Sequence, residues 1–269
     1  MTPQQRRTRF FELHAREQVV VMPNPWDVGS TKLLTGLGFD ALATTSAGFA
    51  WSDGRDDYGI TLDQLVEHTR AVAASTHLPL NVDSERCFAD DGDLTAIGHT
   101  VGLLHDAGAA GCSIEDWNGP AGRIDPVDVA TERVAAAAEA AHRDGDPMLL
   151  TARCENFLHG VTDLDDTIER LIAYASAGAD CVYAPGLNTV DQIERVANAV
   201  DVPINVLALP GGPTVAEIGA AGGRRVSIGS SLASTAYGAM MAGARELIES
   251  GTSSYLATRL TGEDRRLLG

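Results

Sequence analysis

Aromatic residues make up only 5% of this 269-residue chain, and its four cysteines include no CxxC pair. With 44% hydrophobic residues, so few aromatics leave a core of Ala, Val, Leu and Ile, which suits parallel strands covered by helices. No cysteine and histidine spacing suggests zinc. Cys112 and Cys181 fall inside apolar runs and read as small core residues, whereas Cys87 and Cys154 stand beside charged residues and are open to a spacer or a reactive-thiol reading. Basic residues are also scarce: 20 Lys and Arg against 37 Asp and Glu give a net charge of −17. That balance excludes the phosphate backbone of nucleic acid or an anionic membrane as partner. No run of about 18 uncharged apolar residues is present, and the basic amino-terminal stretch carries no signal-peptide core. The chain therefore reads as a soluble cytoplasmic protein acting on a small molecule.

What the sequence has in plenty is repetition. Apolar runs recur at residues 19–23, 40–46, 78–83, 111–116, 147–153, 180–185, 203–208 and 225–229, and helical patterns lie between them. Helices open on N-cap residues, as in "TLDQL", and end on glycine before the next strand, as in "DAGAAGCSI" and "SAGADCVY". Eight such units with no GxGxxG after the first strand predict an α/β chain folded as one (β/α)8 TIM barrel over residues 1–269, not a doubly wound sheet. Residues 231–269 add helices beyond the eighth unit. Their small, Met-rich "AYGAMMAGA" face can pack on another subunit or on its own barrel.

Barrel enzymes work at the carboxyl ends of their strands, so residues distant in sequence pool there. The pool is acidic: Asp27, then Ser46, Ala47 and Gly48, then Asp83 and Glu85, then Glu115 and Asp116, then Arg153 and Glu155 follow the first five strands. In an extended chain residues two apart point the same way, so Asp83 and Glu85 face one cation together, joined by Glu115 from the next strand. Oxygen-only donors suit Mg²⁺ or Mn²⁺ held partly through waters. The planar fork of Arg153 matches a substrate carboxylate or phosphoryl group. The small residues 46–48 leave backbone N–H groups free for an oxyanion or carboxylate, and Asp56 or Asp57 on the same loop can reach the metal region. Trp26, Trp51 and Trp117 follow strand ends and can wall a pocket. The segment "DWNGPAGRIDP", residues 116–126, reads as a flexible loop closing over substrate. Asp90 and Asp91, ahead of a helix at Leu94, read as helix N-terminal charges. For any single acid, helix capping or pairing with an arginine is the better explanation; three successive strand ends bearing acids favour a site.

The ordered segments "PNPWDVGS", "TTSAGFAWSDG", "DYG", "NVDSE", "GAAGCSIEDW", "TARCEN" and "RRVSIGSSLA" resemble the isocitrate lyase and phosphoenolpyruvate mutase superfamily, from about Val20 to Ala244. The resemblance implies a (β/α)8 barrel, often with its last helix exchanged between subunits of a dimer or tetramer, and a Mg²⁺ site for small 2-oxo or 2-hydroxy carboxylates. It implies substrate-carboxylate contacts at Ser46, Ala47 and Gly48, a matching motif at Trp26 and Asp27, metal-site acids at Asp57, Asp83, Glu85 and Glu115, and a substrate arginine at Arg153. The implied chemistry runs through an enolate next to a carbonyl. Carbon–carbon lyases of the family carry a cysteine on the loop after strand four, and "DWNGPAGRIDP" has no Cys, Lys or His. The phosphonate enzymes carry Lys and Asn there and a His-Ser pair after strand six, where this chain has "YAPG". The expectation is a Mg²⁺-dependent carbon–carbon lyase of the isocitrate lyase type, assembled as a homo-oligomer. P–C bond chemistry of the phosphoenolpyruvate mutase or phosphonopyruvate hydrolase type stays open, as does a non-catalytic carboxylate-binding barrel.

Overall fold

The computed structural model describes residues 1–269. In chain order the elements are α1 (Pro3–His14), β1 (Val20–Met22), α2 (Val28–Gly36), β2 (Leu42–Ala43), α3 (Ser46–Ser52), α4 (Leu62–Ala74), β3 (Leu80–Asp83), α5 (Leu94–Asp106) and β4 (Gly111–Glu115). There follow β5 (Trp117–Asn118), β6 (Arg123–Ile124), α6 (Val127–Ala141), β7 (Leu149–Arg153), α7 (Leu164–Ser176), β8 (Cys181–Tyr183), α8 (Val190–Ala199), β9 (Ile204–Leu207), α9 (Val215–Ala220), β10 (Arg225–Ser227), α10 (Ser231–Ser250) and α11 (Gly262–Arg266). All eight expected strands are present, pairing in parallel in the order β1, β10, β9, β8, β7, β4, β3, β2. Between β2 and β1 the ring is drawn together by Ala43 N donating to Pro23 O at 3.1 Å and by Asn24 Nδ2 donating to Thr44 O at 2.8 Å. The chain is thus a (β/α)8 barrel, with the main apolar core lying between the strands and their outer helices. No helix is long and apolar enough to cross a membrane.

Three local features depart from expectation. The segment after β4 is a two-stranded antiparallel hairpin, β5 and β6, in place of a free loop. Its base is pinned: Arg86 Nε donates to the fully buried Asp125 at 2.8 Å, and Asn118 Nδ2 donates to Asp91 at 2.9 Å. Asp91 also pairs with Arg86, while the cap of α5 is Asp93, which accepts from Ala96 N at 2.9 Å. So Asp91 serves the hairpin and not the helix. All four cysteines are buried and free, and burial pushes the Cys87 thiol up to about 11, which makes Cys87 and Cys154 spacers.

The third feature is α1, whose apolar content is too low for its sequence to announce a buried helix. Thr2 and Gln5 form a capping box around Pro3, and the helix stoppers the amino-terminal end of the barrel. Phe10, fully buried, packs with Val20, Met22, Ala41, Leu149 and Cys181. Gly111 is required by that contact, because a Cβ there would lie 2.7 Å from Phe10 Cε1. The rest of the inward face is polar: Arg6 and Arg7 reach main-chain carbonyls of the barrel floor, and Arg7 pairs with Asp146. His14 Nδ1 lies 2.8 Å from Phe10 O, and burial, reinforced by Arg225, pushes its pKa down to about 3.

Two outcomes follow from this stopper. Phe10→Ala leaves a cavity at the barrel floor and should lower unfolding free energy by about 3–5 kcal/mol in urea titrations. His14 stays neutral in the folded chain while its unfolded counterpart protonates below the reference value of 6.5. Its contribution to stability is therefore complete above that pH and falls on acidification by about 1.4 kcal/mol per pH unit. His14→Gln should remove that slope between about pH 6.5 and 5, measured against the parent chain; an unchanged slope shows that His14 titrates normally.

Candidate active site

Polar side chains at alternate positions of six strands point into the barrel: Asn81 and Asp83 on β3, Ser113 and Glu115 on β4, Thr151 and Arg153 on β7, Tyr183 on β8, Asn205 on β9, and Arg225 and Ser227 on β10. All of these except Glu115 and Thr151 line a cavity of about 180 Å³ that opens at the carboxyl ends of the strands. Ser46, Ala47, Asp57, Asp83 and Arg153 line its mouth, and Asn81, Asn205 and Arg225 line its deeper part. Asp57, not Asp56, faces the cavity.

The mouth is organised by Arg153. Its Nη1 lies 2.8 Å from Asp83 Oδ1, its Nε 2.7 Å from Glu155 Oε1 and its Nη2 3.3 Å from Glu115 Oε2, and its guanidinium sits 5.5 Å from the Tyr183 ring centroid. Glu115 and Arg153 are partners in the β4–β7 register, which places this pair directly. Burial alone would lower the arginine pKa, but Glu155, Asp83 and Glu115 together hold the charge firmly in place. The fork expected to clamp a substrate is therefore turned toward three protein carboxylates.

Asp83 is held from its other side by Ser46 N, which donates to Oδ2 at 3.2 Å from the first turn of α3. Glu85 arrives by a different route from the one its spacing suggested. The strand ends at Asp83, and Glu85 has φ +49°, followed by Cys87 at +57° and Phe88 at +52°. A left-handed turn, not strand alternation, aims its carboxyl. Arg133 clamps that turn by donating to the carbonyls of Arg86 at 2.8 Å and Ala89 at 3.2 Å. Glu85 opens onto an adjoining cavity of about 560 Å³ beneath the hairpin, lined also by Tyr58 and Trp117.

Tyr58 was not singled out by the sequence. It too has a left-handed φ, +62°, and its hydroxyl donates to Glu115 Oε1 at 2.7 Å. Burial pushes the Glu85 carboxyl up to about 8, with Asp83 and Asp57 adding repulsion, and burial followed by Asp83 also raises Asp57. One Glu85 oxygen, Oε1, is buried with no hydrogen-bond partner.

Burial and mutual repulsion therefore favour the protonated forms of Asp57 and Glu85 until a cation sits beside them, because Arg153 is already engaged by Asp83, Glu115 and Glu155. No three Asp, Glu, His or Cys side chains converge as a ready-made cage. That suits a hard cation such as Mg²⁺, which is held through one or two carboxylates and several waters. The orphaned Glu85 oxygen and the mutual repulsion of these acids fit such an ion, with Asp83 at the cavity, Asp57 and Glu85 beside it and Glu115 behind Arg153.

Trp26 and Gly48 lie behind the cavity wall. A Cβ on Gly48 would meet Thr45 Cγ2 at 2.7 Å, Trp26 Cβ at 3.0 Å and Ala233 Cβ at 3.2 Å, so the glycine lets α3 close onto its neighbours. Asp27 caps α2, accepting from Ser30 N at 2.6 Å. Trp117 stacks on His159 with ring centroids 3.4 Å apart. Lys32, the chain's only lysine, donates Nζ to Leu268 O at 2.7 Å and lines neither cavity.

The phosphoenolpyruvate phosphomutase family model matches residues 10–248. A crystal structure of a Burkholderia cenocepacia protein, provisionally described as a lyase/mutase, is 43% identical, covers 98% of this chain and 95% of its own, and superposes with a TM-score of 0.93. A Corynebacterium glutamicum protein named as a probable 2-methylisocitrate lyase is 30% identical over 212 residues, 76% of this chain and 67% of that one. An oxaloacetate decarboxylase of Paraburkholderia xenovorans is 30% identical over 217 residues, 77% of this chain and 70% of that one. With the family match running through nearly the whole barrel, the chain belongs to the isocitrate lyase and phosphoenolpyruvate mutase superfamily, as a lyase-like enzyme within it.

Proposed function

We propose that the protein is a divalent-metal-dependent lyase that cleaves a carbon–carbon bond in a small 2-oxo or 2-hydroxy acid, with an enolate as the leaving fragment. The observation that carries this reading is the mouth of the cavity, where Asp83 stands between Arg153 and the Ser46 amide with Asp57 and Glu85 uncompensated beside it. A bond next to a carbonyl breaks only if the electron pair left behind is stabilised as an enolate. A lysine Schiff base is one device for that, and Lys32 is tied to Leu268 O instead of lining a cavity. Mg²⁺ is the other, and when bound it would supply the positive charge that an enolate oxygen needs.

The chain's own residues hold the remaining parts. The Ser46 and Ala47 wall receives the substrate carboxylate, Arg153 holds Asp83, Glu115 and Glu155 in place, and the barrel walls keep bulk water from the reacting carbons. The absence of lysine from residues 117–125, together with relatives named as lyase and decarboxylase, supports carbon–carbon over P–C chemistry. Four free, buried cysteines accord with the reducing cytoplasm.

Helix α10 supports a homo-oligomer. Of its 20 residues only Ala233 and Gly243 are buried, whereas Met240, Met241, Leu247 and Ile248 are exposed, Ile248 at 86%. A second copy of the chain covers this face in our reading. Light scattering coupled to gel filtration should give a dimer or tetramer that Met241→Glu with Ile248→Glu splits; a parent chain that is already monomeric removes the oligomer.

Incubation with Mg²⁺ and a panel of 2-oxo and 2-hydroxy acids, with phosphonopyruvate alongside, should yield a small keto acid by ¹H NMR and leave the ³¹P spectrum unchanged. Asp83→Asn should lower kcat/KM by on the order of 10²-fold or more and abolish Mg²⁺ binding by calorimetry while the thermal transition persists. Full turnover in that variant refutes the assigned site, and phosphorus chemistry in the parent refutes the reaction.

A further inference from the structure

A buried guanidinium is costly unless its charge is met. Arg7 meets Asp146, while Arg6 and Arg133 turn to main-chain carbonyls. Arg225 has neither. It is 2% exposed, and its Nε donates to Asn205 Oδ1 at 2.9 Å. Its Nη1 lies 3.3 Å from His14 Nε2, the acceptor nitrogen of a ring whose Nδ1 faces Phe10 O. Nη2 makes no hydrogen bond within the chain, and Arg225 forms no ion pair with a carboxylate. His14 is neutral, so the arginine charge goes uncancelled.

Arg225 nevertheless lines the same cavity as Ser46, Asp83 and Arg153. Beside it, Ser227 Oγ accepts from Asn205 Nδ2 at 2.9 Å, and its hydroxyl lies within reach of Tyr183. The cavity therefore has an acidic mouth suited to a cation and a deep end with one unmatched positive charge.

We propose that the deep end of the cavity is a carboxylate site, in which Arg225 and Ser227 receive the distal carboxylate of a substrate whose 2-oxo or 2-hydroxy end lies at Ser46 and Asp83. This rests on the lyase reading and narrows its substrate class to short dicarboxylic acids. A volume of about 180 Å³ equals roughly six waters, the bulk of a four- or five-carbon diacid. A monoacid bound at the mouth leaves Arg225 unmet.

The test is calorimetry with Mg²⁺ present, using succinate, acetate and chloride as probes on the parent chain, Arg225→Gln and Ser227→Ala. Succinate should bind the parent about tenfold or more tighter than acetate, and Arg225→Gln should erase that difference while keeping its acetate affinity. Ser227→Ala, the milder change, should reduce it in part, and this serves if Arg225→Gln does not fold. Succinate affinity unchanged in both variants overturns the proposal, as does chloride competing as well as succinate, which marks an inorganic-anion site. Asp83→Asn run in parallel separates the two readings: if that variant keeps full turnover the lyase site fails, whereas the succinate preference is read from Arg225 alone.

Discussion

The ion cluster at Arg153 is the contact on which the rest of the site depends. Three carboxylates, from the ends of β3 and β4 and from the loop after β7, meet one guanidinium that is itself buried. Taking those groups from water costs several kcal/mol per ion, and an acid left without its partner inside a protein costs about 3–5 kcal/mol. The cluster is therefore a weak source of stability and a strong constraint on geometry. It fixes where Asp83 points, and through Asp83 it fixes the first turn of α3 and the position that a cation can take.

The inside of the barrel obeys the same logic in a quieter way. Polar residues at period two would ordinarily mark a solvated sheet face, yet here they face inward. Several are tolerable because neighbours satisfy them: Asn24 ties β1, β2 and β10 together by donating to Thr44 O at 2.8 Å and accepting from Ile228 N at 2.9 Å, and Asn205 links Ser227 and Arg225. Asn81 Oδ1 and Thr151 Oγ1 are buried without a partner, as is Glu85 Oε1, where the proposed cation begins; the proposed carboxylate begins at Arg225, whose Nη2 makes no hydrogen bond within the chain.

Much of this was legible in the sequence, for reasons that are themselves local. The eight strands show because parallel strands buried on both faces must be apolar, and Asp83, Glu115 and Arg153 show because they end such runs. Glu85 reaches the acid cluster by a route its spacing did not suggest: its position two residues past Asp83 implied alternation, whereas a left-handed turn held by Arg133 places it. The hairpin after β4 was hidden because its anchors, Arg86, Asp91 and Asp125, look like surface charge until Asp125 is seen to be fully buried. Tyr58 and Arg225 were missed because a tyrosine in a loop and an arginine opening a strand carry no local signal. The inward stripe of Asn81, Ser113, Thr151, Asn205 and Ser227 would have exposed Arg225, had the strands been read for polar residues at alternate positions.

Helix α1 has one more consequence. By filling the lower end of the barrel with Phe10, it turns the interior into a blind tube with a single opening. In the proposed cleavage reaction, reactants and products would share one doorway, so the fragment lying deepest would depart only after the fragment nearer the rim had gone. Order of product release is then a property of a small aromatic plug on the side of the molecule opposite the chemistry.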